Sequence, residues 1–237
     1  MKFKSVDERY LKKRKIFSEK YGPRELWSVM DHWPLYCGIG NLGRFMAIAD
    51  ILRSTLKVPG HVAEFGSWKG ANLMFLAKLL RIYDPHGAKV VHCFDSFAGL
   101  TAFNTQDAHK KKSKGQYKGS LTELKEIIAL YDMSDETVVH KGLIEQTLPK
   151  VLSQNKALTF SFVYCDTDLY ESTKTILKHL HPRLAKGGIF VFDEWNYENY
   201  PGEGIAVNEF LEEFGDQYEV EHLARTRQPS LLIRKKK

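Results

Sequence analysis

A chain of 237 residues, 43% hydrophobic and 27% charged, can build one sizeable α/β core. No apolar run approaches the roughly 20 residues of a membrane span, and residues 1–8 lack the apolar stretch of a secretory signal, so a cytoplasmic protein with no membrane partner is expected. The net charge of +6 is the kind that can serve nucleic acid, but much of it sits in runs at 12–15, 110–112 and 234–237 that read as solvated faces and tails, and no nucleic-acid partner is expected.

Cys37, Cys93 and Cys165 are odd in number, widely spaced and set among apolar residues, which predicts free thiols rather than a disulfide framework or a zinc site. Residues 5–20 carry sparse apolar positions (Val6, Tyr10, Leu11, Ile16, Phe17), as in an amphipathic surface helix. Pro23 is placed to open a second short helix over 24–30, and Asn41 to N-cap a third over 42–52. Pro59 and Gly60 close this region. Residues 1–58 thus read as a helical cap or oligomerisation segment, with Trp27 and Trp33 pointing to a subunit contact and a homo-oligomer. The main domain spans 59–237.

From His61 onward strands and helices alternate. A strand over 61–65 passes through a glycine turn into a helix over 68–83, and a second strand covers 89–95. The polar stretch 96–120 is long enough to be a lid. A helix over 121–131, a strand over 137–140 and a helix over 143–153 follow. Next come a strand over 158–166, a helix over 172–184 despite Pro182, and a strand over 189–194 entered through Gly187 and Gly188. A helix over 207–214 precedes two short strands, 218–223 and 230–234. This order implies a Rossmann-like, doubly wound, mostly parallel sheet with a C-terminal antiparallel hairpin.

The first turn reads Glu64-Phe65-Gly66-Ser67-Trp68-Lys69-Gly70. Its glycines let backbone approach a ligand, and the following helix offers free N–H groups. Glu64 puts a carboxylate where a dinucleotide would need room for pyrophosphate, which suits a cationic ligand. Taken alone, the turn is also compatible with a plain tight connection. Acids recur where strands end: Glu64, Asp95, Asp166 and the pair Asp193-Glu194. Ligands of open α/β sheets bind at that edge. A single acid there is commonly a helix cap. Four such places on one edge repel unless cations or hydroxyls bind among them. Asp95, with Ser96, suits ribose hydroxyls. Asp166, Asp193 and Glu194 form an oxygen-only set suited to Mg²⁺, the alternative being that Asp168 and Glu194 cap helices or pair with Lys174, Arg183 or Lys186.

Taken together, residues 64–70, 94–100 (Phe-Asp-Ser-Phe-Ala-Gly-Leu), 166–173 (Asp-Thr-Asp-Leu-Tyr-Glu-Ser-Thr), 181–188 and 192–195 (Phe-Asp-Glu-Trp) resemble the macrocin O-methyltransferases over about 61–214. These are class I S-adenosylmethionine-dependent enzymes that methylate sugar hydroxyls on natural products. The resemblance implies that Glu64, Gly66, Ser67 and Gly70 line the methionine part of the cofactor and Asp95 and Ser96 hold its ribose. It places Lys141, Gly142, Leu143 and Ile144 against the adenine and makes Asp166, Asp193 and Glu194 the Mg²⁺ ligands. The family usually has two consecutive Asp where this chain has Asp193-Glu194, and often Cys-Arg after Pro-Gly where this chain has Glu203-Gly204.

The expected function is S-adenosylmethionine- and Mg²⁺-dependent O-methylation of a sugar, on a glycosylated natural product or a nucleotide sugar. The alternatives are a catechol-like diol acceptor, or a non-catalytic basic binding protein on the same fold. Asp166 is the first candidate base, ahead of His140 and Asp168. Trp195, Tyr197, Tyr200, Phe97 and Phe103 can stack on a sugar ring or simply pack. Lys110, Lys111 and Lys112 can meet a phosphate or stand in solvent.

Overall fold

The computed structural model describes residues 4–22, 25–101, 103–107, 114–198, 200–224 and 226–236. The helix start expected at Pro23 and the lid lysines Lys110, Lys111 and Lys112 lie outside them. Helices α1 (Lys4–Tyr21), α2 (Leu26–Asp31), α3 (Trp33–Tyr36) and α4 (Ile39–Ser54) come first. Asn41 does not cap α4. Gly38 holds the N-cap position in an extended conformation, and the helix starts three residues earlier than the sequence pattern suggests because Ile39 and Gly40 already fit its turn. Ile48, Ile51 and Leu52 of α4 lie in the same apolar cluster as Leu73, Leu76 and Leu80.

The sheet contains β1 (His61–Phe65), β2 (Val91–Asp95), β3 (Thr137–Lys141), β4 (Phe160–Cys165), β5 (Leu184–Phe192), β6 (Tyr218–His222) and β7 (Leu231–Lys235). Their order is β3-β2-β1-β4-β5-β7-β6, with β7 antiparallel to both β5 and β6 and the rest parallel. The chain direction across the sheet reverses between β1 and β4, which is where such folds open a ligand crevice.

Alternation along the strands sends side chains to two cores. Val62, Val91, Phe162 and Val191 pack with α4, α5 (Ala71–Tyr83) and α6 (Leu121–Leu130). Phe65, Phe94, Phe160, Phe190 and Phe192 pack on the other face with α7 (Ile144–Gln154), α8 (Tyr170–Leu180) and α9 (Pro201–Phe214). Each of these five phenylalanines is fully buried, which stabilises the fold by roughly 1.5–3 kcal/mol apiece.

Several boundaries differ from the sequence pattern. Helix α5 begins at Ala71, because Gly70 takes a left-handed conformation (φ 83°) and residues 68–70 form a turn. Helix α8 stops at Leu180, and Pro182 falls in a 3₁₀ turn, His181–Arg183, that leads straight into β5. Gly187 and Gly188 lie inside β5 rather than before it, at a register shift opposite Phe160 and Phe162. Helix α9 begins six residues early because Pro201, with its fixed φ, is suited to a first helical turn.

Candidate active site

The strand ends are tied together by backbone hydrogen bonds. Gly66 N donates to Phe94 O (3.0 Å), Gly142 N to Asp95 O (3.0 Å), Asp166 N to Phe65 O (2.9 Å) and Asp193 N to Cys165 O (3.0 Å). Just beyond four of these strands the chain turns through left-handed residues that are not glycine: Trp68, Phe97, Asp168 and Asn196, with φ between 51° and 62°. Such conformations cost energy and concentrate at functional edges. Gly66, at φ 83°, passes so close to β4 that a Cβ there would stand 1.9 Å from the Asp166 carbonyl oxygen.

Along this edge lies a cavity of about 280 Å³. Gly66, Asp95, Ser96, Gly142, Leu143, Asp166, Asp193 and Glu194 all line it, together with Ile144 and Asp168. Ser67 and Gly70 do not. The Ser67 hydroxyl is turned inward, accepting from Cys93 Sγ at 3.1 Å, and Gly70 packs on Leu124. Glu64 lies beneath the turn, 1% exposed, with Oε2 lacking a hydrogen-bond partner. Asp95 is a hub: Oδ2 accepts from Trp68 N (2.8 Å) and Oδ1 from Phe97 N (2.6 Å), so one carboxylate fixes the turns after both β1 and β2. His140 sits away from the cavity lining, hydrogen-bonded to His92 (3.1 Å) and stacked on Phe94. Of the aromatic candidates, Phe97 is in one core, and Trp195 packs against the other, its indole N–H bonded to Asn208. Tyr200 and Tyr197 stack on each other beside Leu100 and Leu169, and Tyr117 and Tyr200 share a hydroxyl hydrogen bond of 2.6 Å. Phe103 is exposed.

The acids crowd. Burial, then the neighbouring Asp166, pushes Glu64 up to about 8. Burial, with Asp193 and Asp168, pushes Glu194 up to about 9. Asp193 is raised by burial and by Asp166, and Asp166 is raised by burial, although Arg44 opposes both shifts. Glu203 of α9 adds a further fully buried carboxylate. Its Oε1 accepts from Glu194 N (2.7 Å), and its Oε2 has no partner.

Sequence reasoning did not single out Arg44, the cation that pairs with Asp166 and Asp193, while Arg227 acts on Asp193 and Glu194 from farther off. Its Nη2 lies 2.8 Å from Asp166 Oδ2 and 3.1 Å from Asp193 Oδ1. Burial works against its charge, but Tyr164, Asp193 and Asp166 together hold it protonated. A signal was present: Arg44 is the sole Lys, Arg, Asp or Glu between Asp31 and Asp50. Tyr164 and Gln228, whose side chains donate to Asp193 and Glu194 respectively, were likewise missed. They come from a buried strand and a distant loop, where nothing local marks them.

The donor set suits a hard divalent ion, being carboxylate oxygens only, with Glu194 Oε2 unpartnered. Among the described residues, however, no three acids or imidazoles already converge as a metal cluster. The left-handed Gly66 turn and the orphan oxygen of Glu64 suit a ligand that approaches backbone closely and carries positive charge.

Comparison with known proteins places the chain among O-methyltransferases. A family described as macrocin-O-methyltransferase (TylF) matches residues 9–225. Mycinamicin III 3''-O-methyltransferase of Micromonospora griseorubida is 27% identical over 177 residues, 71% of this chain and 66% of that one. A tetracenomycin-C rhamnosyl 4'-O-methyltransferase of Streptomyces olivaceus is 30% identical over 148 residues, 58% of this chain and 54% of that one. The chain therefore spans only about half to two thirds of these two relatives. Among solved structures, calicheamicin methyltransferase CalS11 superposes with a TM-score of 0.82 at 26% identity, covering 97% of this chain and 92% of that one. An apo structure of CalS11, described as a TDP-rhamnose 3'-O-methyltransferase, gives 0.75 at 26% identity, covering 97% and 94%.

Proposed function

The chain belongs to the macrocin O-methyltransferase family, and from that premise we propose that it methylates a sugar hydroxyl with S-adenosylmethionine as donor. The acceptor class is a deoxysugar, carried either on a nucleoside diphosphate or on a natural-product scaffold. One observation carries this: a left-handed glycine turn, a ribose-ready Asp95 and the acids Asp166, Asp193 and Glu194 all border a single cavity.

When bound, S-adenosylmethionine supplies an electrophilic methyl group on a positively charged sulfur. Glu64, Gly66, Ser67 and Gly70 shape the turn that receives its methionine part, Asp95 and Ser96 hold the ribose, and Gly142 with Leu143 faces the adenine. Glu64, buried below the turn with its pKa raised to about 8, would favour the positive charge in its ionised form. Asp166 is the proposed general base. Arg44 contacts its Oδ2, and Oδ1 is the candidate proton acceptor. This carboxylate would take the hydroxyl proton as the acceptor oxygen is methylated, and the bound donor would supply the methyl group and depart as a neutral thioether. Most of the acceleration comes from holding the two reactants in line, and a base of this kind adds about 10²–10⁴-fold. Asp166, Asp193 and Glu194 would hold Mg²⁺, whose chemistry is to orient adjacent hydroxyls and lower the pKa of one. Residues 59–237 form the transferase unit, with α4 packed into its core, and the helices before α4 form a cap and a contact between copies.

The test is methyl transfer from labelled S-adenosylmethionine, with and without Mg²⁺, offered TDP-rhamnose, a macrolide glycoside and a catechol. Methyl ether formed on a sugar acceptor supports the proposal. Turnover confined to the catechol, or none with any acceptor, contradicts it.

A further inference from the structure

The cation at the acid cluster is part of the chain itself. Arg44 reaches both Asp193 oxygens, Nη2 to Oδ1 at 3.1 Å and Nη1 to Oδ2 at 3.3 Å, while Nη2 also reaches Asp166 Oδ2 at 2.8 Å. The Tyr164 hydroxyl donates to the same Asp193 Oδ1. Both oxygens of Asp193 are therefore already taken by protein donors. A magnesium ion demands near-octahedral oxygens at about 2.0–2.1 Å, and a guanidinium bridging the same two carboxylates fills the space between them and repels a second cation. The third acid behaves differently: Glu194 is engaged through Oε1 by Gln228, and its Oε2 remains unpartnered.

Arg44 can leave without dismantling the core. It lies toward the N-terminal half of α4, where Ile39, Leu42 and Met46 are exposed and Phe45, packed against Phe75, is held against the core, while Ile48, Ile51 and Leu52 one to two turns later anchor the helix. A Cβ at the adjoining Gly43 would meet nothing within 4 Å, so there is room beside the arginine's attachment point.

We infer that Arg44 is a resident counter-cation that competes with a divalent ion for Asp166 and Asp193, so that arginine docking and metal binding exclude each other. Metal arrival then releases the first half of α4, and the site in its metal-free state is closed by its own arginine. This rests on the metal-assisted form of the function proposed above.

The experiment is Mn²⁺ binding to the full chain, read by electron paramagnetic resonance, for wild type and Arg44→Gln. With the docked arginine dominant in the wild type, the apparent affinity falls by the competent fraction, so Arg44→Gln binds Mn²⁺ about tenfold more tightly or better. Hydrogen exchange supplies a second readout: saturating Mg²⁺ speeds exchange of the amides over 39–47 in wild type and leaves Arg44→Gln unchanged. Should Arg44→Gln fail to fold, Arg44→Lys keeps the charge but loses the two-pronged contact, and a smaller tightening is expected. Equal or weaker Mn²⁺ binding in a folded variant overturns the inference, as does absence of Mn²⁺ binding in both proteins. S-adenosylmethionine binding measured on the same samples separates this failure from failure of the transferase function.

Discussion

Arg44 Nη2 and Asp193 Oδ1 meet at 3.1 Å across 149 residues of chain, joining a helix before the sheet to the acid that follows β5. The Asp193 side chain is 1% exposed and that of Arg44 24%. Removing one partner of such a pair leaves a buried charge uncompensated, at a cost of about 3 kcal/mol or more. Arg44→Ala should therefore lower unfolding stability by that order at pH 8. Without its cation Asp193 protonates more readily, so the loss should shrink at pH 6. Urea unfolding at the two pH values measures both.

Two glycines should respond in opposite directions to the same substitution. Gly66→Ala forces a Cβ against the Asp166 carbonyl at a left-handed φ of 83°, and should cost about 3 kcal/mol or prevent folding. Gly43→Ala sits inside α4 with open space around it, and should stabilise by about 0.5–1 kcal/mol. Thermal unfolding of the pair decides it.

Asp107 pins the long segment between β2 and α6. Its Oδ1 accepts from Tyr170 N (2.8 Å) at the start of α8, its Oδ2 from Asn104 N (3.0 Å), and it is 2% exposed. It serves α8 as a cap supplied from 63 residues away. Asp107→Ala should cost about 1–2 kcal/mol and make the segment 96–120 the first point of limited proteolysis. An unchanged cleavage pattern would contradict this.

His92 contacts His61 and His140, and burial, with those two neighbours, pushes its pKa down to about 4 from an ordinary 6.5. The unfolded chain then takes up protons first. The stability this histidine contributes is whole above about 6.5 and declines as pH falls toward about 4. The buried acids act oppositely: Glu64 and Glu194, raised to about 8 and 9, favour the fold when protonated and weaken it as pH rises. The histidine effect is therefore read as a difference. His92→Phe should gain on wild type between pH 7 and pH 5 by about 1–2 kcal/mol, measured as the shift between their urea midpoints.

Much of this architecture was legible in the sequence. Continuous apolar strands separated by helical patterns pointed to the doubly wound sheet, and four of the acids at strand ends, Asp95, Asp166, Asp193 and Glu194, do come to border one cavity. What stayed hidden was carried by long-range partners. Arg44 sits in a helix outside the motifs read from the sequence, although the family match over 9–225 includes it, and its role exists only because folding brings it to Asp166 and Asp193. Glu203 looked like part of a glycine-rich loop, yet α9 starts at Pro201 and buries it completely. Ser67 belongs to the motif, but its hydroxyl faces Cys93, a pairing set by strand register rather than by spacing.

The most direct test is calorimetric titration of S-adenosylmethionine into wild type and Asp95→Ala. Asp95 fixes two cavity turns and is the proposed ribose partner. Micromolar binding by wild type, weakened about 10–100-fold in the variant, is the predicted result. Absence of binding by folded wild-type protein, or equal affinity in the two, would contradict the assignment of this edge as the methyl-donor site.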